Sequence, residues 1–118
     1  MKIILDTNFL VDSIRWKIDW GELRGHELFV LDSNVEELKR IAKRGTKESS
    51  LAKVALEVLK TKGLKILESK EKETDLSLLE YSKKGYVIAT QDMVLKNRIK
   101  SETGKVIYIR QKKYIEID

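Results

Sequence analysis

The chain of 118 residues contains no cysteine, no proline and a single histidine, His26. Without cysteine it can form neither disulfides nor a thiolate zinc site. Any metal chemistry must therefore rest on carboxylates, the ligands that suit hard cations such as Mg²⁺ or Mn²⁺. His26 follows Gly25 in a polar stretch, and we assign it no role.

Long apolar runs are missing as well. No stretch approaches the ~20 residues of a membrane span, and the first residues lack the layout of a signal peptide. We therefore expect a cytoplasmic protein with no membrane partner. The composition, 36% charged and 42% hydrophobic, is typical of a globular protein, and the length predicts one domain, residues 1–118.

Short apolar runs alternate with helical patterns along the chain. The runs predict strands that end at Leu5, Leu31, Leu67, Ala89 and Ile109, with an edge strand at 114–117. Helical spacing predicts helices over about 8–15, 34–44, 48–62, 75–84 and 93–100, the second of which opens with a capping box from Ser33 to Glu36. This alternation predicts a single three-layer α/β sandwich with a mainly parallel central sheet.

Four carboxylates follow predicted strands or open predicted helices: Asp6, Glu37, Asp75 and Asp92. The carboxyl ends of parallel strands lie at one edge of a sheet, and open α/β folds bind their ligands there. We therefore expect these side chains to converge. Two structural explanations stay open, since Asp6 could simply cap the next helix and Glu37 could form an ion pair with Arg40.

Four converging negative charges repel one another and raise one another's pKa values unless a cation neutralises them. A divalent ion, Mg²⁺ or Mn²⁺, would neutralise them and could also activate water for attack on a phosphodiester. In this hypothesis Asp6, Glu37 and Asp92 are catalytic metal ligands, directly or through water. Asp75 holds a second ion or orients the nucleophile.

The formal net charge of +5 favours a polyanionic partner such as RNA. Basic residues cluster directly after Glu37 and again after Asp92. We predict RNA contacts for five of them: Arg40, Lys43, Arg44, Lys96 and Arg98. The structural alternative is a solvated helix face, which is the usual meaning of a run of charges.

The ordered set of motifs resembles the PIN-domain ribonucleases over nearly the whole chain. Its parts are Ile4-Leu-Asp6-Thr-Asn8, Val35-Glu-Glu37-Leu, Asp75, and Ala89-Thr-Gln-Asp92. The resemblance implies a PIN-like fold, divalent-metal-dependent endonucleolytic cleavage of RNA, and a supporting polar role for Asn8 and Thr90. The chain departs from the family pattern at Val94, where members often carry a further acid, and at Leu76, where the third acid is often paired.

The carboxyl-terminal segment, residues 95–114, is most similar to the archaeal and eukaryotic PIN endonucleases that process small-subunit pre-rRNA. This similarity implies pre-rRNA as the substrate and ribosome-assembly factors as partners. A VapC-type toxin ribonuclease, with an antitoxin as its partner, is the alternative within the family.

Three further hypotheses concern partners or other classes of protein. A non-catalytic RNA-binding scaffold in ribosome assembly would keep the basic helices, but it would not need all four acids. A phosphoacceptor receiver domain would need paired acids beside Asp6 and an acceptor Asp on the third strand, and the chain has neither. Short edge strands, together with Trp16 and Trp20 as exposed apolar residues, would support a homodimer.

Overall fold

A computed structural model describes all residues, 1–118. Its strands are β1 (Lys2–Leu5), β2 (Glu27–Leu31), β3 (Lys65–Leu67), β4 (Val87–Ala89), β5 (Val106–Arg110) and β6 (Tyr114–Ile117). They form one sheet in the order β3-β2-β1-β4-β5-β6, parallel throughout except for β6, which runs antiparallel to β5. The predicted α/β class with a mainly parallel sheet is confirmed.

Helices cover both faces of the sheet. They are α1 (Thr7–Arg15), α2 (Asp32–Lys43), α3 (Lys47–Thr61), α4 (Thr74–Lys83) and α5 (Met93–Glu102), with a short 3₁₀ turn at Gly21–Leu23. Alternate residues of a strand point to opposite faces. Ile3 and Leu5 therefore pack in one core with α1, α2 and α3, whereas Ile4 packs in a second core with α4 and α5.

The central strand β1 lies between β2 and β4, at the point where the order of the strands reverses. Ile3, Ile4 and Leu5 are completely buried, so this strand is packed tightly on both faces. Just beyond it, the backbone N–H of Asp6 donates to the carbonyl of Ala89 at 2.9 Å, which ties the end of β1 to the end of β4. A reversal of this kind opens a crevice at the carboxyl edge of the sheet.

The start of α2 differs from the prediction. The helix begins at Asp32, and the predicted capping box between Ser33 and Glu36 is wrong. Instead the side-chain Oδ1 of Asn34 accepts a hydrogen bond from the backbone N–H of Leu31 at 3.2 Å. Glu36 is exposed and forms an ion pair with Lys39 at 3.6 Å. Because α2 starts two residues earlier than predicted, Glu36 lies too far along the helix to bond the amino-terminal backbone.

Trp16 and Trp20 are half-buried and pack against the larger core. They therefore do not form the exposed apolar surface that the homodimer hypothesis requires of them. The loop between α1 and β2 folds both side chains back onto the domain. None of the helices combines the length and the apolar character that crossing a membrane requires.

Candidate active site

An open cleft of about 1010 Å³ lies at the carboxyl edge of the sheet. Twenty residues line it, and only Val11 and Ile41 among them are hydrophobic. All four acids predicted from the sequence line this cleft: Asp6, Glu37, Asp75 and Asp92. They come from four different segments of the chain, so the fold brings them together as the parallel topology led us to expect.

Asp6 is the most deeply buried of the four, with only 6% of its surface exposed. Its Oδ1 accepts hydrogen bonds from the backbone N–H of Thr7 at 2.9 Å and from Nδ2 of Asn34 at 3.1 Å. Its Oδ2 accepts one from the hydroxyl of Thr90 at 2.9 Å. Asp6 is also the N-cap of α1, so the structural explanation holds alongside any chemical role.

The pKa of Asp6 is raised to about 6, mainly because the carboxylate is buried, and the negative charges of Asp75 and Glu37 contribute to the rise. The hydrogen bonds from Thr90 and Thr7 act in the opposite direction, since they stabilise the ionised form. The influence of Asp75 and Glu37 on this pKa means that the acids of the cleft interact. A carboxylate kept among like charges and away from water is a frequent feature of functional sites.

Glu37, Asp75 and Asp92 line the cleft from the amino-terminal parts of three helices. Glu37 lies in the second turn of α2 and Asp75 in the first turn of α4. Asp92 is the N-cap of α5, and its Oδ1 accepts hydrogen bonds from the N–H groups of Val94 at 3.0 Å and Leu95 at 3.1 Å.

The pKa of Asp75 is raised although the residue as a whole is exposed. The main cause is the loss of water around the carboxylate where it lines the cleft, and the charges of Asp92, Glu73 and Glu37 add to it. Asp75 has no adjacent acid on α4, because Leu76 follows it. Its negative neighbours are Glu73, the N-cap of the same helix, and Asp92 and Glu37 from other segments.

Thr90 and Asn8 hold the strand ends together. The buried Thr90 hydroxyl donates to Asp6 and accepts from the backbone N–H of Asp92 at 3.1 Å, so it links two of the four acids. Oδ1 of Asn8 accepts from the backbone N–H of Gln91 at 3.0 Å. Both residues thus lie where a supporting role requires them, and the role itself stays a prediction.

Sequence reasoning missed Asn34. It is completely buried, and its amide joins Asp6 and Thr7 to the start of α2: Nδ2 also donates to the Thr7 hydroxyl at 3.0 Å. A signal was present in the sequence. Leu5-Asp-Thr-Asn8 and Leu31-Asp-Ser-Asn34 are nearly the same tetrapeptide, each at the end of a strand.

Asp32 is the acid of the second tetrapeptide. It lines the cleft, but its Oδ1 accepts from the backbone N–H and the hydroxyl of Ser69, at 3.0 and 2.5 Å. The Ser69 hydroxyl is the main reason why the pKa of Asp32 is lowered. Asp32 therefore fixes the segment after β3 to the end of β2.

The five predicted RNA contacts fall into two groups. Arg40 and Arg44 line the cleft, one helical turn apart, and neither forms an ion pair. Lys43, Lys96 and Arg98 lie outside the cleft. Lys96 Nζ sits 3.9 Å above the ring of Tyr108, and Arg98 pairs with Glu102 at 3.8 Å.

The donors of the cleft suit a hard divalent cation, since they are carboxylate oxygens without competing histidine or cysteine. No three acidic or histidine side chains stand close enough to form a ready-made cage. Mg²⁺ does not need one, because it usually keeps several waters and takes only one or two protein carboxylates. The residues present therefore fit such an ion.

Fold and site together define an α/β protein whose mainly parallel sheet carries a carboxylate cleft at its switch point. A model of the family described as a PIN-like domain matches residues 3–112. Ribonuclease VapC4 of Methanocaldococcus jannaschii is 33% identical over 125 aligned positions, which cover 98% of this chain and 95% of that protein. The chain belongs to the PIN-domain family, as its motifs predicted.

Two solved structures are similar in fold. The PIN domain endonuclease Utp24 matches with a TM-score of 0.77 at 24% identity, covering 98% of this chain and 90% of that chain. A domain of a functionally unknown protein from M. jannaschii matches with a TM-score of 0.68 at 17% identity, covering 92% and 91%. At these identities the similarity concerns the fold alone.

Proposed function

We propose that this PIN-domain protein is a divalent-metal-dependent endoribonuclease that hydrolyses RNA phosphodiester bonds. The observation that carries the proposal is the meeting of Asp6, Glu37, Asp75 and Asp92 in one cleft. A relative at 33% identity that is named a ribonuclease supports it. The presence of all four acids in the cleft counts against a non-catalytic scaffold.

The chain supplies ligands and position for this reaction. Asp6, Glu37 and Asp92 would hold Mg²⁺ or Mn²⁺, and Asp75 would bind a second ion or orient the attacking water. The bound ion would lower the pKa of water and stabilise negative charge on the phosphoryl oxygens. Thr90 fixes the carboxylate of Asp6 and the backbone of Asp92 relative to each other, which keeps the ligand atoms in place.

Arg40 and Arg44 would bind the RNA backbone next to the acids. They follow Glu37 by one and two helical turns on the same side of α2, and their guanidinium groups have no carboxylate partner. Arginine binds phosphate oxygens in a fixed, two-pronged geometry. Lys43, Lys96 and Arg98 would add only longer-range attraction, because they lie outside the cleft.

Two classes of RNA remain candidates. The carboxyl-terminal segment supports a role in small-subunit pre-rRNA processing, with ribosome-assembly factors as partners in the cytoplasm. The relation to VapC4 supports a toxin ribonuclease held by an antitoxin. The activity and the cleft are the same in both cases, so the RNA cut and the copurifying partner distinguish the two.

The test is cleavage of a labelled small-subunit precursor rRNA fragment with Mg²⁺ or Mn²⁺, and again with EDTA. Wild type is compared with Asp6→Asn and Asp92→Asn, and with Glu57→Gln, which neutralises an exposed acid on α3 away from the cleft. We expect metal-dependent cuts in the wild type and in Glu57→Gln, and none in the two cleft variants. Cleavage that survives in EDTA or in Asp6→Asn would overturn the proposal.

A further inference from the structure

A line of polar side chains that includes Asp6 crosses the carboxyl edge of the sheet. Asn34, after β2, donates to Asp6, after β1. Asn8, also after β1, accepts from the backbone of Gln91, after β4. The Gln91 side chain in turn accepts from the N–H of Ile109 on β5 at 2.6 Å. Each strand end is thus tied to the next.

Asn34 occupies the decisive place in this line because its orientation has no alternative. The N–H of Leu31 requires an acceptor, so Oδ1 of Asn34 points toward Leu31, the N-cap of α2. Nδ2 therefore points toward Asp6 and Thr7. The side chain is completely buried, and all three hydrogen bonds lie between 3.0 and 3.2 Å. A carboxylate at this position could accept from Leu31, but it could not donate to Asp6.

The amide also decides which oxygen of Asp6 is available. A carboxylate oxygen has about two acceptor sites. On Asp6, Oδ1 already accepts from Thr7 and Asn34, whereas Oδ2 accepts from Thr90 alone. Oδ2 is therefore the oxygen with room for one more partner.

We propose that Asn34 is a positioning residue, whose amide occupies Oδ1 of Asp6 and so presents Oδ2 to the divalent ion of the cleft. This inference rests on the metal-dependent activity proposed above. Groups that orient a metal ligand commonly matter almost as much as the ligand itself, and their loss costs about 10- to 100-fold in metal affinity or activity.

The chain contains a natural control for the second role of Asn34, which is to accept the backbone hydrogen bond at the start of α2. At the start of α3, Ser49 stands at the equivalent position, and its hydroxyl accepts from the N–H of Thr46 at 3.0 Å. Ser49 is buried but does not line the cleft. A serine is thus sufficient for starting a helix in this fold. Asn34→Ser should keep the acceptor for Leu31 and remove the donor to Asp6.

The experiment measures the affinity of the full chain for Mn²⁺ by calorimetry or electron paramagnetic resonance. The proteins are wild type, Asp6→Asn, Asn34→Ser, Asn34→Ala and the control Ser49→Ala, each checked for folding by circular dichroism. We expect Asn34→Ser and Asn34→Ala to bind Mn²⁺ about 10- to 100-fold more weakly than wild type. Ser49→Ala should bind as wild type does.

Kinetics with RNA separate positioning from a merely structural effect. At a fixed Mn²⁺ concentration, Asn34→Ser should lower kcat and leave the KM for RNA nearly unchanged, because Asn34 is buried beneath the cleft and touches no phosphate-binding arginine. Saturating Mn²⁺ should restore much of the lost rate.

Two results would overturn the inference about Asn34 and leave the proposed function intact. In the first, Asn34→Ser binds Mn²⁺ as tightly as Ser49→Ala does. In the second, neither Asn34 variant folds, which would mean that the amide is required for the fold itself. Failure of the proposed function has a different signature. In that case Asp6→Asn does not reduce Mn²⁺ binding relative to the wild type. The inference about Asn34 then fails together with the proposed function.

Discussion

Two nearly identical tetrapeptides end neighbouring strands of the sheet, yet their acids have opposite environments. Asp6 of Leu5-Asp-Thr-Asn8 is buried, and its pKa is raised to about 6. Asp32 of Leu31-Asp-Ser-Asn34 is exposed, and its pKa is lowered. Both line the same cleft. A shared sequence motif and a shared cleft therefore do not determine the burial or the pKa of a carboxylate.

The helix after each strand explains the difference. After β1, Asp6 stays outside α1 as its N-cap and points into the switch point between β1 and β4. After β2, the helix begins one residue earlier relative to the motif, so Asp32 is the first residue of α2 and turns toward Ser69. A shift of one residue separates an acid available for chemistry from one that fastens a loop.

The largest expected effect is on RNA cleavage. Asp6→Asn should lower kcat/KM by more than ~100-fold, because even groups that only orient a metal ligand cost about 10- to 100-fold. Asp32→Asn should lower it by less than ~10-fold, since an amide Oδ1 can still accept from Ser69. Steady-state cleavage of one labelled RNA by both variants makes the comparison. Equal losses would mean that the two acids share one role.

The second effect concerns the stability of the metal-free protein. The pKa of Asp6 is raised from 3.8 to about 6, because folding places the carboxylate where it is poorly hydrated. Above the folded pKa, holding Asp6 ionised lowers the free energy of unfolding by about 3 kcal/mol. Asp6→Asn should therefore stabilise the protein at pH 8 in EDTA. Urea unfolding should show the gain shrinking below pH 6 and vanishing below 3.8.

The third effect has the opposite sign. The lowered pKa of Asp32 contributes stability above the unfolded value of 3.8, and that contribution is lost as the pH falls through the folded pKa. Asp32→Asn should therefore be slightly less stable than wild type at pH 8, by under ~1 kcal/mol for so exposed a group. The same urea titration should show the two proteins converging at low pH. A stabilising Asp32→Asn would contradict this assignment.

The smallest effects should distinguish the basic residues. Arg40→Gln and Arg44→Gln should each raise the KM for RNA and reduce the slope of log affinity against log salt by about one. Lys43→Gln, a matched change on the same helix outside the cleft, should leave the slope nearly unchanged. Filter binding across a salt series measures all three. Equal slopes for Lys43 and Arg44 variants would indicate a diffuse basic face instead of a defined RNA path.

The sequence was sufficient for the fold and for much of the cleft. The apolar runs that stop at Asp6 and before Asp92 predict buried parallel strands, and the residues just beyond parallel strands have to lie at one edge of the sheet. Thr90 and Asn8 were identified through the family motifs alone. The geometry adds the reason for their positions, which is that they connect β1 to β4.

The repeated tetrapeptide marks Asn34 in the sequence, but the partners of Asn34 and Ser69 could not be predicted from local patterns. The N-cap of α2 is Leu31, a residue type that cap rules do not expect, so the start of the helix was assigned two residues late. The partner of Asn34 is 28 positions away in the chain and that of Ser69 is 37 positions away. Such contacts depend on which strands become neighbours, and spacing along the sequence does not contain that information.

The most direct test of the account is anomalous diffraction from a crystal of the protein soaked in Mn²⁺. The account predicts a peak in the cleft within ~2.3 Å of Oδ2 of Asp6, at ordinary metal–oxygen distance, with Glu37 or Asp92 bound directly or through water. The same soak of an Asp6→Asn crystal should show no peak there. A saturating soak that leaves the wild-type cleft empty, or a peak on Asp32 instead, would contradict the central claim.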